Sequence, residues 1–362
     1  MDYATVFVGV DTHSRKNECF ALNPSTGEVA RATLGADPSE LVGWLSGLGM
    51  GSPVRVAYES GPTGFGLKRA LDAAGFPCCV VAASKLARRN DGLKNDRSDA
   101  EWICRQLAAG AVRESWCPTP EQEGFRALVR ARCGCAEDLR RARLKVTSAL
   151  LYCGASGKPT KANWTKGFRR WARAVELPTA MHRAALDDLL DEVEHLEARL
   201  AAIEGRVRSA LASMPADARR AHARATLLRG VGEVCGWVVV AECGDVRRFR
   251  SGADMASWAG AVPSEHSSGE SRSTGPITGR GDARLRRALV EAAQQYCRPA
   301  RDSLPGDDSV PLAVREHALK GSRRLAARMA HLRARGKAPN KCKLAVAREL
   351  CGWIYHLVSM PD

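Results

Sequence analysis

Short apolar runs separated by polar turns dominate the first 83 residues. The runs are rich in β-branched and apolar side chains, and they predict five strands, at 5–11, 17–23, 28–34, 55–60 and 77–83. A Pro-Ser-Thr-Gly turn at 24–27 joins the second strand to the third, so the first three strands form an antiparallel meander. Helical patterns at 38–48 and 64–74 separate the later strands. The N-terminal region is therefore predicted to be mixed α/β.

Helical periodicity replaces the strand pattern from residue 96 onward. A helix is predicted at 96–109, a strongly basic one at 121–151, and a last one at 343–357. Between 181 and 214, apolar residues recur three and four apart as a heptad seam over about three repeats. The seam consists of Leu186, Leu189, Val193, Leu196, Leu200, Ile203 and Val207. It predicts a coiled-coil arm, which either pairs two chains or packs as a hairpin within one chain.

Two later segments carry weaker signals. A Gly-Val-Gly turn at 230–232 lies between two helical halves of segment 227–249, which is similar to a helix-hairpin-helix DNA-binding unit. In that interpretation the amides of Gly230 and Gly232 face a phosphate, whereas a plain connector between helices is the open alternative. Segment 301–340 is polar, arginine-rich and poorly patterned, so only partial order is predicted there.

The length of 362 residues exceeds one ordinary core, and 45% hydrophobic residues suffice for burial. The patterns divide the chain into three predicted domains, 1–118, 119–214 and 215–362. Lys and Arg outnumber Asp and Glu by 55 to 40, which gives a formal charge of +15. Nucleic acid is the first partner that such an arginine-rich excess indicates, and a merely solvated basic surface is the alternative.

The thirteen cysteines show no paired CxxC units at zinc spacing, so they are expected to be reduced and mostly buried. The chain starts MDYATVFVGVD without the features of a signal peptide, and it contains no run of about 18 apolar residues. We therefore expect a cytoplasmic protein with no membrane partner.

Acidic residues stand at the ends of predicted elements. Asp11 ends the first strand and Glu59 follows the fourth, while Asp96 and Asp99 lie three residues apart on one face of the helix at 96–109. Strand-end caps and a helix N-cap are the alternative interpretation of these positions. Four carboxylates at one point would need cations to stay ionised, and hard oxygen ligands favour Mg²⁺ or Mn²⁺.

Five serines occupy a glycine-rich stretch at 263–287, which we predict to be a loop that leads into a helix, DARLRRALVEAAQQY, at 282–296. They are Ser264, Ser267, Ser268, Ser271 and Ser273, and the arginines around them are Arg272, Arg280, Arg284, Arg286 and Arg287. A serine hydroxyl is a weak nucleophile unless it is activated, and an arginine cluster favours attack on phosphate over attack on an acyl carbon. A flexible basic loop without chemistry is the alternative.

These patterns resemble one known fold and one known protein family. The order of three strands, helix, strand, helix, strand resembles the ribonuclease-H-like fold in its RuvC-like form, in which the first and fourth strands are neighbours. The motifs VGVDTH, YESGPTGFGLKRAL, KNDRSDAEW and GAVPSEHSSGESRSTGPITGRGDARLRRALVEAA resemble the DEDD transposases of the insertion-sequence family IS110, which includes the Piv and MooV-like DNA invertases. The resemblance implies a RuvC-like domain, a coiled-coil arm and a helical C-terminal transposase domain with a helix-hairpin-helix.

The resemblance also implies roles for individual residues. The metal-binding DEDD carboxylates fall on Asp11, Glu59, Asp96 and Asp99. The family's serine, which forms a covalent phosphoseryl link to DNA, falls on Ser268, with Ser267 as the fallback. The family's sites on donor and target DNA are selected by a bridge RNA, and its members act as dimers or tetramers. Arg280-Gly281-Asp282 departs from the family's Lys-x-Gly-Asn, so a DNA contact at Arg280 is less secure than the serine.

Three functional hypotheses follow. The first is a transposase that cleaves and rejoins DNA in the nucleoid through Ser268 and Mg²⁺ or Mn²⁺. The second is a RuvC-like nuclease that resolves branched DNA, such as Holliday junctions, with metal-activated water. The third is a nucleic-acid-binding protein whose carboxylates are structural. Residues expected to contact nucleic acid in the first case are Gly230, Gly232, Arg272, Arg280, Arg284 and Arg286.

Overall fold

The computed structural model describes residues 5–48, 52–82, 86, 96–158, 164–268, 271–298, 303–306 and 309–361, although the side chains at 96–97 and 265–274 lie outside this description. The chain divides into two compact units, Met1–Cys117 and Pro118–Asp362. The further division at residue 214, between an arm and a C-terminal domain, stays a prediction.

Unit 1 contains a sheet and three helices. Its elements are β1 (Val6–Thr12), β2 (Lys16–Leu22), β3 (Val29–Gly35), α1 (Pro38–Leu48), β4 (Val54–Glu59), α2 (Gly66–Ala73), β5 (Cys78–Val81) and α3 (Asp96–Ala108). The predicted strands and helices of this unit are confirmed to within two residues at each end. The sequence pattern succeeds here because strands and helices alternate with clear turn signals between them.

The five strands form one mixed sheet in the order β3-β2-β1-β4-β5. β1 pairs antiparallel with β2 and parallel with β4, and β4 pairs parallel with β5. The predicted adjacency of the first and fourth strands is therefore confirmed, and the mixed sheet is consistent with a RuvC-like transposase domain.

The sheet of unit 1 is covered on both faces. Val6, Val8 and Val10 of β1 belong to a core cluster that includes Leu41 of α1 and Leu71 of α2. Side chains alternate along a strand, so the residues between these valines lie on the opposite face. There Phe7 packs with residues of α3. Phe7 and every second residue of β1 after it therefore lie on the face of the sheet that α3 covers.

The contact between β1 and α3 depends on Gly9. A Cβ atom built at Gly9 would lie within 3.0 Å of the carbonyl oxygen of Ala100 and of the backbone nitrogen of Cys104. Only a residue without a side chain allows this close approach of strand and helix backbones. The Cys104 thiol also donates to the carbonyl of Phe7 at 3.1 Å. Because Ala100 and Cys104 lie over Gly9 and Phe7 in that order, α3 runs antiparallel to β1.

Unit 2 is mostly helical. Its elements are α4 (Pro120–Tyr152), α5 (Lys166–Ala174), α6 (Ala180–Ser213), α7 (Ala216–Ala225), α8 (Glu233–Cys243), α9 (Gly252–Trp258), β6 (Pro263–Ser268), β7 (Ser271–Ile277), α10 (Ala283–Gln294), α11 (Leu312–Ala334) and α12 (Pro339–Ser359). A single apolar cluster connects residues of α4 through α12. Its centre is α8, in which every residue from Cys235 to Cys243 is buried.

Several helices of unit 2 begin at a side-chain cap. Thr119, Thr179 and Asp282 precede α4, α6 and α10, and each side chain accepts a hydrogen bond from the amide three residues further on. The distances are 3.2, 3.3 and 2.7 Å. Such caps satisfy amides that have no partner within the helix, which fixes where each helix starts.

The predicted heptad seam on α6 packs against α4 of the same chain. Five of its seven residues are buried, namely Leu186, Val193, Leu196, Ile203 and Val207. Leu189 and Leu200 are partly buried against the same core, while the neighbouring Leu190 is buried. Val129, Leu139 and Val146 contribute the facing apolar stripe of α4. This burial favours the intramolecular hairpin, one of the two alternatives that the sequence left open.

The prediction of a loop is wrong for residues 263–277, whereas the predicted helix that follows is confirmed as α10. Residues 263–268 and 271–277 form a two-stranded antiparallel hairpin, and α10 begins at Ala283. A strand needs backbone pairing rather than an apolar face, and the serines and Thr274 in this stretch tolerate the extended conformation. The absence of apolar alternation therefore concealed the hairpin.

The prediction of only partial order at 301–340 is also wrong. α11 is a regular helix of 23 residues whose buried stripe consists of Val314, Ala318, Leu325, Met329 and Leu332. Ala318, Gly321 and Ser322 occupy buried positions where larger apolar residues would have marked the periodicity. Small residues fill narrow helix–helix contacts, which explains why the sequence pattern was weak.

The cysteines and the lengths of the apolar helices bear on two expectations from the sequence. All thirteen cysteines are free thiols, eight of them buried, and burial raises the pKa of the Cys104 thiol to about 12. Within the described ranges, no helix is both long and apolar enough to cross a membrane.

Replacement of Gly9 by alanine should destabilise the protein by about 1–3 kcal/mol, because the new Cβ atom collides with the backbone of α3. Chemical denaturation followed by circular dichroism measures the change. Gly43→Ala is the matched control, since a Cβ atom there meets no atom within 4 Å. Gly43 lies inside α1, so its replacement should be neutral or stabilising. Equal stability of the Gly9→Ala variant and the parent would contradict this role of Gly9.

Candidate functional site

Asp11 and Glu59 end neighbouring strands at the same edge of the sheet. In the parallel pairing of β1 with β4, Val10 lies opposite Tyr58, and the two acidic residues follow directly. Neighbouring strands lie about 4.8 Å apart, so the two residues come side by side. Alternation along β1 puts Asp11 on the same face as Gly9, which is the face covered by α3.

The first residue of α3 reaches the same edge. Ala100 and Cys104 lie over Gly9, and α3 runs antiparallel to β1. One helical turn spans about 5.4 Å, and two strand residues span about 6.6 Å. The helix position one turn before Ala100 is Asp96, and the strand position two residues after Gly9 is Asp11. The backbone therefore brings position 96 to the level of Asp11.

Asp99 lies on the β4 side of the same helix. It is half-buried and stands four residues before Ile103, which belongs to an apolar cluster with Ala57 of β4. Residues four apart occupy one face of a helix, so Asp99 lies on the face that packs towards β4. Ala57 precedes Glu59 by two residues. The helix thus directs its two acidic positions to the ends of different strands.

Two further residues contact this edge, and the sequence did not single them out. The Nε2 atom of His13 lies 3.0 Å from Oδ2 of Asp11. Glu18 is opposite Asp11 in the β1–β2 pairing and is buried. Its carboxylate accepts hydrogen bonds from Lys16 Nζ at 2.9 Å and Thr33 Oγ1 at 2.8 Å. The period-two alternation of the meander was the signal that could have placed Glu18 beside Asp11.

The donor chemistry of this edge suits a hard divalent cation. Carboxylate oxygens are the ligands that Mg²⁺ and Mn²⁺ prefer, and four candidate carboxylates stand at converging element ends. Among the residues whose side chains are described, no group of three His, Cys, Asp or Glu is placed to hold a metal ion. The side chain of Asp96, which completes the predicted set, lies outside the description. The edge therefore fits the cation by ligand type and backbone placement.

The serines of unit 2 lie on the hairpin formed by β6 and β7. Ser268 pairs with Ser271, and Ser267 pairs with Arg272. Ser268 is thus the last residue of β6, directly before the connection at 269–270. The side chains of these four residues, like the connection itself, lie outside the described residues. The backbone places both candidate nucleophiles at the end of the hairpin distant from its base.

The base of this hairpin is closed by glycines. Gly281 has a φ of +116°, and a Cβ atom there would lie within 3.0 Å of the carbonyl oxygen of Trp258. Gly260 has a φ of +66° and makes a similarly close approach to the carbonyl of Arg280. Both values lie in the left-handed region, which favours glycine. The chain segments that enter and leave the hairpin are therefore held against each other.

Arg286 supports the same base from α10. Its NH1 atom donates to the carbonyl of Ala259 at 2.9 Å and to that of Gly279 at 3.3 Å. Arg286 was predicted to contact nucleic acid, but its guanidinium already donates hydrogen bonds within the protein. Arg280 and Arg284 are exposed, and the side chain of Arg272 lies outside the described residues. The sequence could not separate these roles because it gives only the residue type.

An ion pair between the exposed Arg130 and the buried Glu242 lies behind α10. Arg130 of α4 donates to both carboxylate oxygens of Glu242 on α8, at 2.8 and 2.7 Å, and Glu242 is 1% exposed. These hydrogen bonds raise the pKa of Arg130, whereas burial lowers the pKa of the adjacent Arg126. Arg130 also lies 3.8 Å from Asp282, the cap of α10. The pair therefore connects α4 and α8 to the start of the helix that supports the hairpin.

The two glycines of the predicted phosphate-binding turn differ. Gly230 has a φ of +83°, and a Cβ atom there would lie within 3.0 Å of the carbonyl of Ala292 on α10. Gly232 is exposed and precedes α8, and a Cβ atom there would meet nothing within 4 Å. The helix before the turn ends earlier than expected, at Ala225. Gly230 thus serves packing, and Gly232 leaves the N-terminus of α8 accessible.

Comparisons with known proteins agree with this arrangement. A family model described as transposase IS116/IS110/IS902 family matches residues 222–303, and a DEDD transposase model of IS110 matches residues 8–153. A putative transposase, y4qE of Sinorhizobium fredii, is 34% identical over 98% of this chain and 88% of its own length. A probable family 20 transposase of Pseudomonas aeruginosa is 30% identical over 68% of this chain and 72% of its own. The transposase for insertion sequence element IS1533 of Leptospira borgpetersenii is 24% identical over the same shares.

The two family models and the mixed α/β fold of unit 1 define a protein of the transposase class. Similarity over nearly the whole chain makes the assignment specific: the chain belongs to the IS110 family of insertion-sequence transposases. A transposase cuts DNA and transfers its strands, so this protein is an enzyme. The matched region 8–153 contains the acidic edge of unit 1, and the matched region 222–303 contains the serine hairpin.

Arg286→Ala should lower the free energy of unfolding by about 2 kcal/mol, because hydrogen bonds from a charged donor to two carbonyls are lost. Arg284→Ala, two positions away on the exposed face of α10, should change it by less than about 0.5 kcal/mol. Denaturant titration of both variants gives the comparison. A larger loss in Arg284→Ala than in Arg286→Ala would rule out the structural role of Arg286.

Proposed function

We propose that this transposase cleaves and rejoins DNA through a phosphoserine intermediate at Ser268, assisted by divalent cations that Asp11, Glu59, Asp96 and Asp99 bind. The observation that carries the proposal is the convergence of element ends in unit 1. Two strand ends and the start of α3 bring four acidic positions to one edge of the sheet. If each of these acidic residues had only a structural role, the four would not need to lie at one edge of the sheet.

The acidic residues would act as metal ligands. Carboxylates held this close repel each other when ionised, so the edge favours a cation that neutralises them. A divalent cation bound there supplies Lewis-acid stabilisation of the phosphate undergoing attack. The rigid sheet and the close contact at Gly9 hold the ligand positions in place before DNA binds. His13, which contacts Asp11, would restrict the orientation of that carboxylate.

Ser268 would be the nucleophile. Its Oγ atom attacks the phosphorus while the bond from phosphorus to one sugar oxygen breaks, and the proton lost by the hydroxyl balances the proton gained by the leaving oxygen. The phosphoserine bond conserves the energy of the broken phosphodiester, so a second DNA end can reverse the step without an external energy source. Arg280 and Arg284, both exposed next to the hairpin, would contact the phosphate backbone, with Arg272 as a third candidate.

The proposed partners follow from membership of the family. They are donor DNA, target DNA and a bridge RNA that selects both sites by base pairing. The formal charge of +15 supports polyanionic partners in general. A dimer or tetramer acting on DNA in the bacterial nucleoid is part of the same proposal. The exposed Gly232 amide at the start of α8 is a further candidate for phosphate contact.

Ser268→Ala should abolish covalent protein–DNA adducts, because no hydroxyl remains to form the phosphoserine bond. Adducts are detected by denaturing gel electrophoresis of labelled substrate after incubation with bridge RNA and Mg²⁺. Ser267→Ala should still form them, and the opposite pattern would move the nucleophile to Ser267. Binding of RNA and DNA by Ser268→Ala should remain at the parental level, which confirms that the variant is folded.

The same experiment separates the alternative functions. If Ser268→Ala and Ser267→Ala both cleave DNA fully and the products carry no protein, a RuvC-like nuclease with metal-activated water is correct instead. If no branched or paired substrate is cleaved and binding does not depend on metal, the protein binds nucleic acid without catalysis.

Asp11→Asn and Glu59→Gln should each weaken Mn²⁺ binding at least tenfold, because an amide oxygen carries no negative charge to offset the cation. Isothermal titration calorimetry on the DNA-free protein measures this without reference to activity. Glu28→Gln is the matched control, since Glu28 is an exposed residue at the β2–β3 turn. Unchanged Mn²⁺ affinity in both site variants would refute metal binding at this edge.

A further inference from the structure

The hairpin of α11 and α12 carries most of the protein's excess positive charge. Residues 317–348 contain ten Lys or Arg residues and no Asp or Glu, which accounts for ten of the chain's fifteen excess positive charges. We define the α11–α12 surface by its cationic side chains, Lys320, Arg324, Arg328, His331, Arg335, Lys337, Lys341 and Arg348. All of them are exposed except Arg328, which is half-exposed. This concentration was not evident from the sequence interpretation, which expected only partial order over much of the segment.

Helical geometry aligns these side chains. Four positions on α11, at 320, 324, 328 and 331, and the C-cap position 335 are spaced by four, four, three and four residues, so they form one stripe along the helix. The stripe is about 22 Å long at 1.5 Å per residue, roughly two thirds of a turn of duplex DNA. Glu349 of α12 accepts from Arg324 Nε at 3.0 Å, which places α12 beside the stripe. Lys341 and Arg348 extend the cationic surface onto α12.

Several arginines elsewhere in unit 2 have acidic partners within the protein. On the hairpin of α4 and α6, Arg132 pairs with Glu204 at 2.7 Å and Arg143 pairs with Glu197 at 2.6 Å. Arg173 of α5 similarly contacts three acidic side chains of α6. Two acidic residues border the α11–α12 surface. Glu316 is exposed on α11 four residues before Lys320, and Glu349 contacts Arg324 and Arg328. An external polyanion is therefore the partner that matches the remaining charge.

The composition of this surface selects the kind of polyanion. Residues 317–348 contain no Phe, Tyr or Trp, so the surface lacks the aromatic platforms that proteins use to stack unpaired bases. The exposed residues among the cations include Ala327, Ala330 and Ala334, whose small side chains allow a rigid rod to approach the helix closely. They offer no large apolar group for insertion into a lipid surface. These features fit a regular double helix.

We propose that the α11–α12 surface binds the phosphate backbone of double-stranded DNA without regard to base sequence. The contact uses residues other than those of the serine hairpin, and it needs neither the phosphoserine nor the metal. It would hold duplex DNA that flanks the reacting site. The inference relies on the proposed function only for the choice of DNA as the partner, so each can fail without the other.

The test uses the full chain carrying Ser268→Ala, with EDTA present, so that no chemistry contributes. Arg335→Ala, Lys337→Ala and Lys341→Ala are combined in one variant. The control combines Arg199→Ala, Arg206→Ala and Arg219→Ala, which removes the same charge from exposed positions on α6 and α7. Fluorescence anisotropy measures binding of a 30-base-pair DNA of arbitrary sequence between 50 and 300 mM salt. Thermal unfolding of both variants checks that they remain folded.

The surface variant should bind at least tenfold more weakly at 100 mM salt, and the slope of log K against log salt should fall by about 2 to 3, since each phosphate contact contributes about 0.9. The control should retain the parental slope. Equal losses in the two variants would mean that net charge alone matters, and an unchanged slope in the surface variant would exclude the contact. A parallel titration with duplex RNA tests the partner, because a loss confined to RNA would overturn the assignment to DNA.

Discussion

The candidate catalytic edge of unit 1 depends on one close contact, the passage of α3 over Gly9. Backbone atoms of α3 occupy the space that a side chain at this position would fill. The contact fixes both the distance and the direction of the helix relative to β1, and thereby the position of its acidic first turn relative to the strand ends. A sheet with a bulkier residue at position 9 would hold the helix further away, and the converging carboxylate positions would separate. A residue without chemistry of its own thus determines the geometry on which the chemistry depends.

Unit 2 positions its serines by a different principle. The hairpin lacks an apolar face, so its placement comes from its base, where glycines in left-handed conformations and the Arg286 guanidinium hold the entering and leaving segments. Behind α10, the ion pair of Arg130 with the buried Glu242 connects this support to the helical core. Polar backbone contacts can hold a segment that must remain accessible to a large ligand, whereas an apolar anchor would bury it. The arrangement leaves the end of the hairpin that carries the proposed nucleophile away from the apolar core.

The distribution of charge in the structure distinguishes basic residues that stabilise the fold from those available to a partner. A net charge of +15 indicates a polyanionic partner but does not say where that partner binds. The structure separates arginines that stabilise the α4–α6 hairpin through acidic partners from those on α11 and α12, where acidic residues are scarce. Arg286 illustrates the same distinction within the serine region, because its guanidinium supports the hairpin base while Arg284, two residues away, is exposed. Residue type alone does not distinguish structural from ligand-binding cations.

The sequence by itself determined the elements of unit 1, the adjacency of β1 and β4, and the family, because turn residues, apolar alternation and motif order are local signals. It identified Asp11, Glu59, Asp96 and Asp99 as candidates but could not show that Gly9 allows their elements to converge. The serine hairpin and α11 were missed since backbone pairing and small buried residues leave no apolar pattern. Tertiary structure alone decided that the α6 seam packs within the chain, that Glu18 neighbours Asp11, and that α12 lies beside the exposed cations of α11. These outcomes depend on which residues far apart in the chain become neighbours, and local patterns do not carry that information.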